Sequence, residues 1–233
     1  MALLGNAAML LWYDIVPERV EEHDDWHTRQ HFPERLAIPG FVRAQRWVSS
    51  SSSPRYLVVY EVADIDVLSS APYLKRLNEP TVWTSSMMPS FRGMVRGFCQ
   101  LLSCHGSVLG AYCVSVRFDA APGMGDRLHQ WLERELLPKV MRSRGFASAF
   151  VLRSGRTPEM TAEQLIRGRD AGVDLVLLVT AYGSEPLAAL MENELHSTSL
   201  AAQGAASRAT TDAFQLACIS HAFSDEPRMA PLA

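Results

Sequence analysis

Apolar residues gather in short stretches at Met9–Ile15, Phe41–Val48 and Tyr56–Val62, which are rich in β-branched and aromatic residues, and this predicts strands. Pro17–Ala37 and Val67–Arg76 instead carry polar residues along one side at helical spacing, which predicts two amphipathic helices. With a further strand around FCQLLSCH, the order is strand, helix, strand, strand, helix, strand, the βαββαβ unit of ferredoxin-like folds. The serine run Ser49–Ser53, followed by Pro54, suits the hairpin loop between the second and third strands. Trp83, in NEPTVWTSSMMPSF, is expected in a Pro-bounded loop after the second helix.

The same pattern recurs downstream. Trp26, Pro33, Gly40 and Phe41 are matched by Trp131, Pro138, Gly145 and Phe146, each 105 positions later without a gap, and Asp14 falls on Asp119. YLVVYE resembles DLVLLV once the extra segment RTPEMTAEQLIRGRD, residues 156–170, is set aside, and FCQLLSCH echoes FQLACISH. The expected architecture is therefore α+β: two tandem ferredoxin-like βαββαβ units, residues 1–106 and 107–233, the second with the insertion and a C-terminal tail. Such a sheet carries helices on one face only, so the two uncovered faces should pack sheet to sheet.

The second half supplies a control for one feature of the first. Its first helix presents Leu128, Leu132, Leu136 and Val140 on one stripe, whereas the first half has His23, His27, His31 and Arg35 at those positions. Burying an unsatisfied polar group costs roughly 1–3 kcal/mol, so three imidazoles in place of three leucines call for a compensating partner or use. The plain alternative is a helix end at a wet edge. Metal chelation by the His27/His31 pair is a second candidate, but the three histidines span about 12 Å of helix axis and cannot share one ion. No Glu lies between His27 and His31, and no acidic third ligand is identifiable, so no metal is expected.

Composition narrows the classes further. At 48% hydrophobic residues the chain can bury a real core, and a net charge of −3, from 22 basic and 25 acidic residues, provides no basic face for nucleic acid or an anionic membrane. Cys99, Cys104, Cys113 and Cys218 form no CxxC pair, so a reducing cytoplasm fits better than a disulfide framework. The apolar start MALLGNAAMLLWYDIV has no Lys or Arg before Arg19 and reads as the first strand instead of a signal or membrane span. A small-molecule partner is expected; homodimerisation is left open. No Gly-rich phosphate loop, GxSxG elbow or paired-carboxylate motif points to nucleotide, hydrolase or glycosidase chemistry.

At HTRQHFPERLAIPGF the chain resembles the EthD-like proteins of the dimeric α/β-barrel superfamily, in which a helix ending in His-x-Pro leads into the second strand; His31-Phe32-Pro33 stands as that element. Leu136-Leu137-Pro138 departs from it, which implies that only the first half keeps a polar site. The resemblance implies a cavity between two sheets for a small, often aromatic molecule, with histidine as proton carrier. Relatives with this barrel include isomerases, polyketide cyclases, decarboxylases, cofactor-free monooxygenases and haem-binding enzymes, and fold alone does not choose among them.

The expected reaction is cofactor-independent proton transfer of lyase or isomerase type, with His31 as general base or acid and His27 orienting it, because imidazole titrates near neutrality. Trp12, Asp14, His23, Arg43, Trp47, Tyr60 and Trp83 are the candidate substrate-binding residues, Arg43 as the cation opposite a developing anion. Strand alternation sends Leu11 and Tyr13 towards the helices and Trp12 and Asp14 the other way, so the space between the sheets is expected to be polar-lined. The alternatives are a non-catalytic ligand-binding or stress-associated protein, and a cofactor-free monooxygenase or haem enzyme.

Overall fold

In the computed structural model, which describes residues 2–49, 53–155, 160–206 and 209–222, eight strands close into a barrel. The first half supplies β1 (Ala7–Ile15), β2 (Phe41–Val48), β3 (Tyr56–Val62) and β4 (Phe91–Gly106). The second supplies β5 (Tyr112–Phe118), β6 (Phe146–Ser154), β7 (Leu175–Ala181) and β8 (Thr210–His221). Each half has the ferredoxin-like order, β4-β1-β3-β2 and β8-β5-β7-β6. Their edges cross-pair, β2 with β8 and β4 with β6, so neither sheet is left with an open edge. β4 manages this by length: Phe91–Gln100 pairs with β1, and Cys99–Gly106 with β6. The middle of the Ser49–Ser53 loop and the C-terminal tail beyond 222 lie outside the described residues.

The sheets meet through an apolar core. Leu10 and Trp12 of β1 and Leu57 and Val59 of β3 pack against Phe150, Leu152, Val176 and Leu178 of the other half, all buried. The polar-lined interior expected from Trp12 and Asp14 is thus corrected, because the polar tips on this face satisfy one another. Trp12 Nε1–H donates to Ser115 Oγ at 3.0 Å and Trp47 Nε1–H to Gln45 Oε1 at 2.9 Å. Arg43 is paired with Glu61 at 2.6 Å.

Helices cover the outer faces. In the first half α1 (Val20–Trp26) and α2 (Phe32–Leu36) are joined by a π-helical turn, His27–His31, closed by the Phe32 N–H on the His27 carbonyl. The second half has the same device 105 residues on: α5 (Gly125–Trp131), a π turn at Leu132–Leu136, and α6 (Leu137–Arg142). In both, a proline, Pro33 or Pro138, stands two residues beyond the turn and cannot donate to it, which favours the wider ring. A π turn shared by a histidine-bearing and a leucine-bearing helix belongs to the fold and is not itself a mark of function.

α3 (Ala71–Asn78) and α4 (Val82–Met87) complete the first half's helical layer. Trp83, expected in a loop, lies inside α4, which starts where the Thr81 hydroxyl accepts the Thr84 N–H. In the second half α7 (Ala162–Arg167) begins where the Thr161 N–H donates to Gln164 Oε1 at 3.2 Å; α8 (Glu185–Asn193) and α9 (Ser197–Ala202) follow. Among the described residues no helix is long and apolar enough to cross a membrane.

Candidate active site under the histidine helix

The helix α1–α2 lays its inward stripe on the outer face of the first sheet, against Met9, Leu11 and Tyr13 of β1 and Val58 and Tyr60 of β3. His23, His27 and His31 are all buried there and form one stack, with ring centroids 5.2 and 5.5 Å apart and planes within 25° of parallel. In the second half the same place is filled by Leu128, Leu132, Leu136 and Val140, packed on Val114, Val116 and Phe118. Leucines interdigitate with a sheet; flat imidazoles leave a gap. That gap is a cavity of about 40 Å³ lined by His27, His31, Trp26, Arg35, Tyr60, Tyr73, Phe91 and methionines 9, 88 and 94.

The three histidines differ in their partners. His23 Nδ1–H donates to Asp24 Oδ1 at 3.0 Å, and the Tyr13 hydroxyl lies 3.0 Å from its Nε2. Burial alone would raise the Asp24 carboxyl, but His23, Arg46 and the Tyr56 hydroxyl outweigh it and hold Asp24 below the usual range. His27 shares a 3.1 Å hydrogen bond between its Nε2 and the Tyr60 hydroxyl, and its Nδ1 is unpartnered. His31 makes no hydrogen bond to any described residue; it is held by ring contacts, Trp26 at 4.3 Å and His27 at 5.5 Å.

Burial pushes His27 and His31 well below their ordinary pKa, reinforced for His27 by the neighbouring histidines and for His31 by Arg35. Both are therefore neutral imidazoles near pH 7. Burial likewise raises the Tyr60 hydroxyl, so it stays protonated.

The far wall comes from the other half. α7 lies across the cavity, its first N–H donated from Ala162 to Asn78 Oδ1 at 3.1 Å at the end of α3. Just beyond α7, Ala171 exchanges backbone hydrogen bonds with β4, donating to Met94 and accepting from Arg96, each at 2.9 Å. This places Glu163 and Arg167 on the cavity lining beside Arg35 and Arg96.

Of the residues singled out from the sequence, the structure brings His27, His31 and Tyr60 to one cavity, with His23 stacked behind them. Trp12, Trp47 and Arg43 face the barrel interior side of the sheet, engaged as described above. Asp14 caps the β2–β3 hairpin, accepting the Arg55 N–H at 2.7 Å and the Ser53 hydroxyl. Trp83 donates to Glu22 at 3.2 Å and does not reach the lining. The sequence reading missed Arg96, Tyr73, Glu163 and Arg167; the one signal available was that residues 156–170 have no counterpart in the first half. Among the described residues no group of three or more His, Cys, Asp or Glu is arranged to hold a metal ion.

No family model matches the chain, and no curated protein matches it. Solved structures do. An anthrone oxidase-like protein superposes with a TM-score of 0.68 at 11% identity, over 100% of this chain and 99% of that one. A candidate monooxygenase of Fusobacterium nucleatum superposes at 0.57 with 6% identity, over 94% and 96%. A candidate chlorite dismutase superposes at 0.51 with 12% identity, over 90% and 93%. These likenesses run along nearly the whole chain and show its fold, a ferredoxin-like α/β barrel of the dimeric α/β-barrel type.

Proposed function

We propose that this chain is a cofactor-independent enzyme that moves a proton on a small hydrophobic or aromatic molecule bound under the histidine helix, with His31 as the general base or acid. The observation that carries this reading is a buried imidazole whose Nδ1 has no hydrogen-bond partner, lining a cavity where the other half places Leu136. Leaving that group unpaired is a cost to folding that a purely structural role would not require. His27, tied to Tyr60, stacks on His31 and positions its ring. At about 40 Å³ the cavity holds a water and not an aromatic ring, so a ligand displaces its softest lining, the methionine side chains.

We read the halves as copies of one unit, residues 1–106 and 107–233, on the strength of the shared strand order and the π turns 105 residues apart. The EthD-like resemblance rests on His31-Phe32-Pro33 and belongs to this proposal.

Proton removal from an aromatic substrate can end in two ways. Returning the proton elsewhere is the isomerase or lyase outcome. Capture of the carbanion by O2 is the cofactor-free oxygenase outcome, favoured by the likeness to an anthrone oxidase-like protein. For anthrone the balance is one O2 consumed, the ring methylene oxidised to a second carbonyl, and one water released. Anthrone in D2O separates the outcomes: methylene exchange without O2 supports the proton-transfer step, and quinone formation with stoichiometric O2 uptake supports oxygenation. Neither process running faster than in buffer would overturn the proposal.

A further inference from the structure

We infer that the cavity binds the oxyanion of a small aromatic ligand, a carboxylate or phenolate, on Arg35 with support from Arg96 and Arg167. This deepens the proposed function and rests on the same cavity being the site.

The charges around the cavity do not balance. Arg35 Nη2 donates to Glu163 at 2.7 Å, Arg167 pairs with Asp170 at 2.8 Å, and Arg96 Nε sits 2.9 Å from Asp170 without hydrogen-bond alignment. Three guanidinium groups thus share two carboxylates, Glu163 and Asp170, a net charge of +1 with each side chain about nine-tenths or more buried. A buried charge without a partner is strongly unfavourable, and a bound anion removes the penalty. The vacant donor is identifiable: Arg35 Nη1 is buried, has no hydrogen-bond partner, and belongs to a side chain on the cavity lining. The rest of the lining is largely aromatic and apolar, with Trp26, Tyr60 and Phe91, and with Tyr73 against the Arg35 guanidinium, which suits a ring attached to the anionic group.

Arg35 occupies the stripe position where the second half has Val140, so the cation is specific to the half that carries the histidines. Glu163 comes from the insertion, so the other half supplies the carboxylate that occupies Arg35 when no ligand does.

The test is calorimetric titration of the full chain with benzoate and with its neutral isostere benzamide at pH 7.5. Benzoate is expected to bind at least tenfold more tightly. Arg35→Met should bring the two within about threefold, and Glu163→Gln, which removes a competing anion without changing shape, should tighten benzoate at least threefold while leaving benzamide unchanged. If Arg35→Met does not fold, the wild-type preference and Glu163→Gln decide. Equal affinities, preference for benzamide, binding of neither, or no effect of Glu163→Gln would overturn the inference. The base reading fails separately: a benzoate preference together with unaltered anthrone chemistry in His31→Leu leaves the anion site standing, and the converse leaves the base.

Discussion

Arg35 and Glu163, 128 residues apart, meet in a buried 2.7 Å ion pair that joins the histidine helix of one half to α7 of the other. The cavity is therefore complete only when both halves are present.

Residues 1–106 expressed alone should be insoluble or should self-associate. They would expose Leu10, Trp12, Leu57 and Val59, whose burial in the barrel contributes about 1.5–3 kcal/mol for each large side chain, and would leave Arg35 without its carboxylate. Size-exclusion chromatography with light scattering checks this, and a well-dispersed, stable monomer would contradict it.

Stability should fall in mildly acidic solution. His27 and His31 have folded pKa values depressed below the unfolded value near 6.5, so below that pH the unfolded chain binds protons that the folded chain refuses. Their contribution is complete above about pH 6.5 and is lost as pH falls from there towards the folded values, by about 1.4 kcal/mol per pH unit for each histidine. Urea titrations at pH 7.5 and 5.5 should show a loss that shrinks in the His27→Leu/His31→Leu double variant; the same loss in both proteins would refute the assignment. For the same reason any acid limb of activity due to His31 lies below pH 6.5.

The chain as purified should carry neither a stoichiometric transition metal nor a haem. The histidine stack points its rings parallel to one another, and among the described residues no third ligand converges on it. Elemental analysis and an absorbance spectrum with and without added haemin check this. One equivalent of metal lost on replacing His27, or a Soret shift abolished in His31→Leu, would favour metal or haem chemistry.

Much of the fold was legible. β2 and β3 run over Phe41–Val48 and Tyr56–Val62 as their β-branched and aromatic content predicts, and every residue of β3 is buried because helices cover one face of the sheet and the other half covers the opposite face. The parity of Leu11 and Tyr13 against Trp12 agrees as well, the first two packing under the helices and Trp12 between the sheets. What alternation does not carry is how polar tips are satisfied: Trp12 finds Ser115, 103 residues away, and Arg43 finds Glu61 on the next strand, so a face that looks polar in sequence is a sealed core. The prolines around Trp83 suggest a loop, but Thr81, three residues before Thr84, is an adequate N-cap and starts α4 there. Arg35 was in plain view on the stripe, but its role depends on α7, and nothing local in residues 156–170 says which half that helix covers.

The most direct test of the central claim is His31→Leu, assayed for anthrone deuterium exchange and quinone formation alongside its melting temperature. Leucine is what the other half carries at this position and fills the gap with apolar surface, so the variant should fold and melt no lower than wild type. Its turnover should drop by about 10²-fold or more, the scale expected on removing a general acid or base. A folded His31→Leu protein with turnover within a few-fold of wild type would contradict the account.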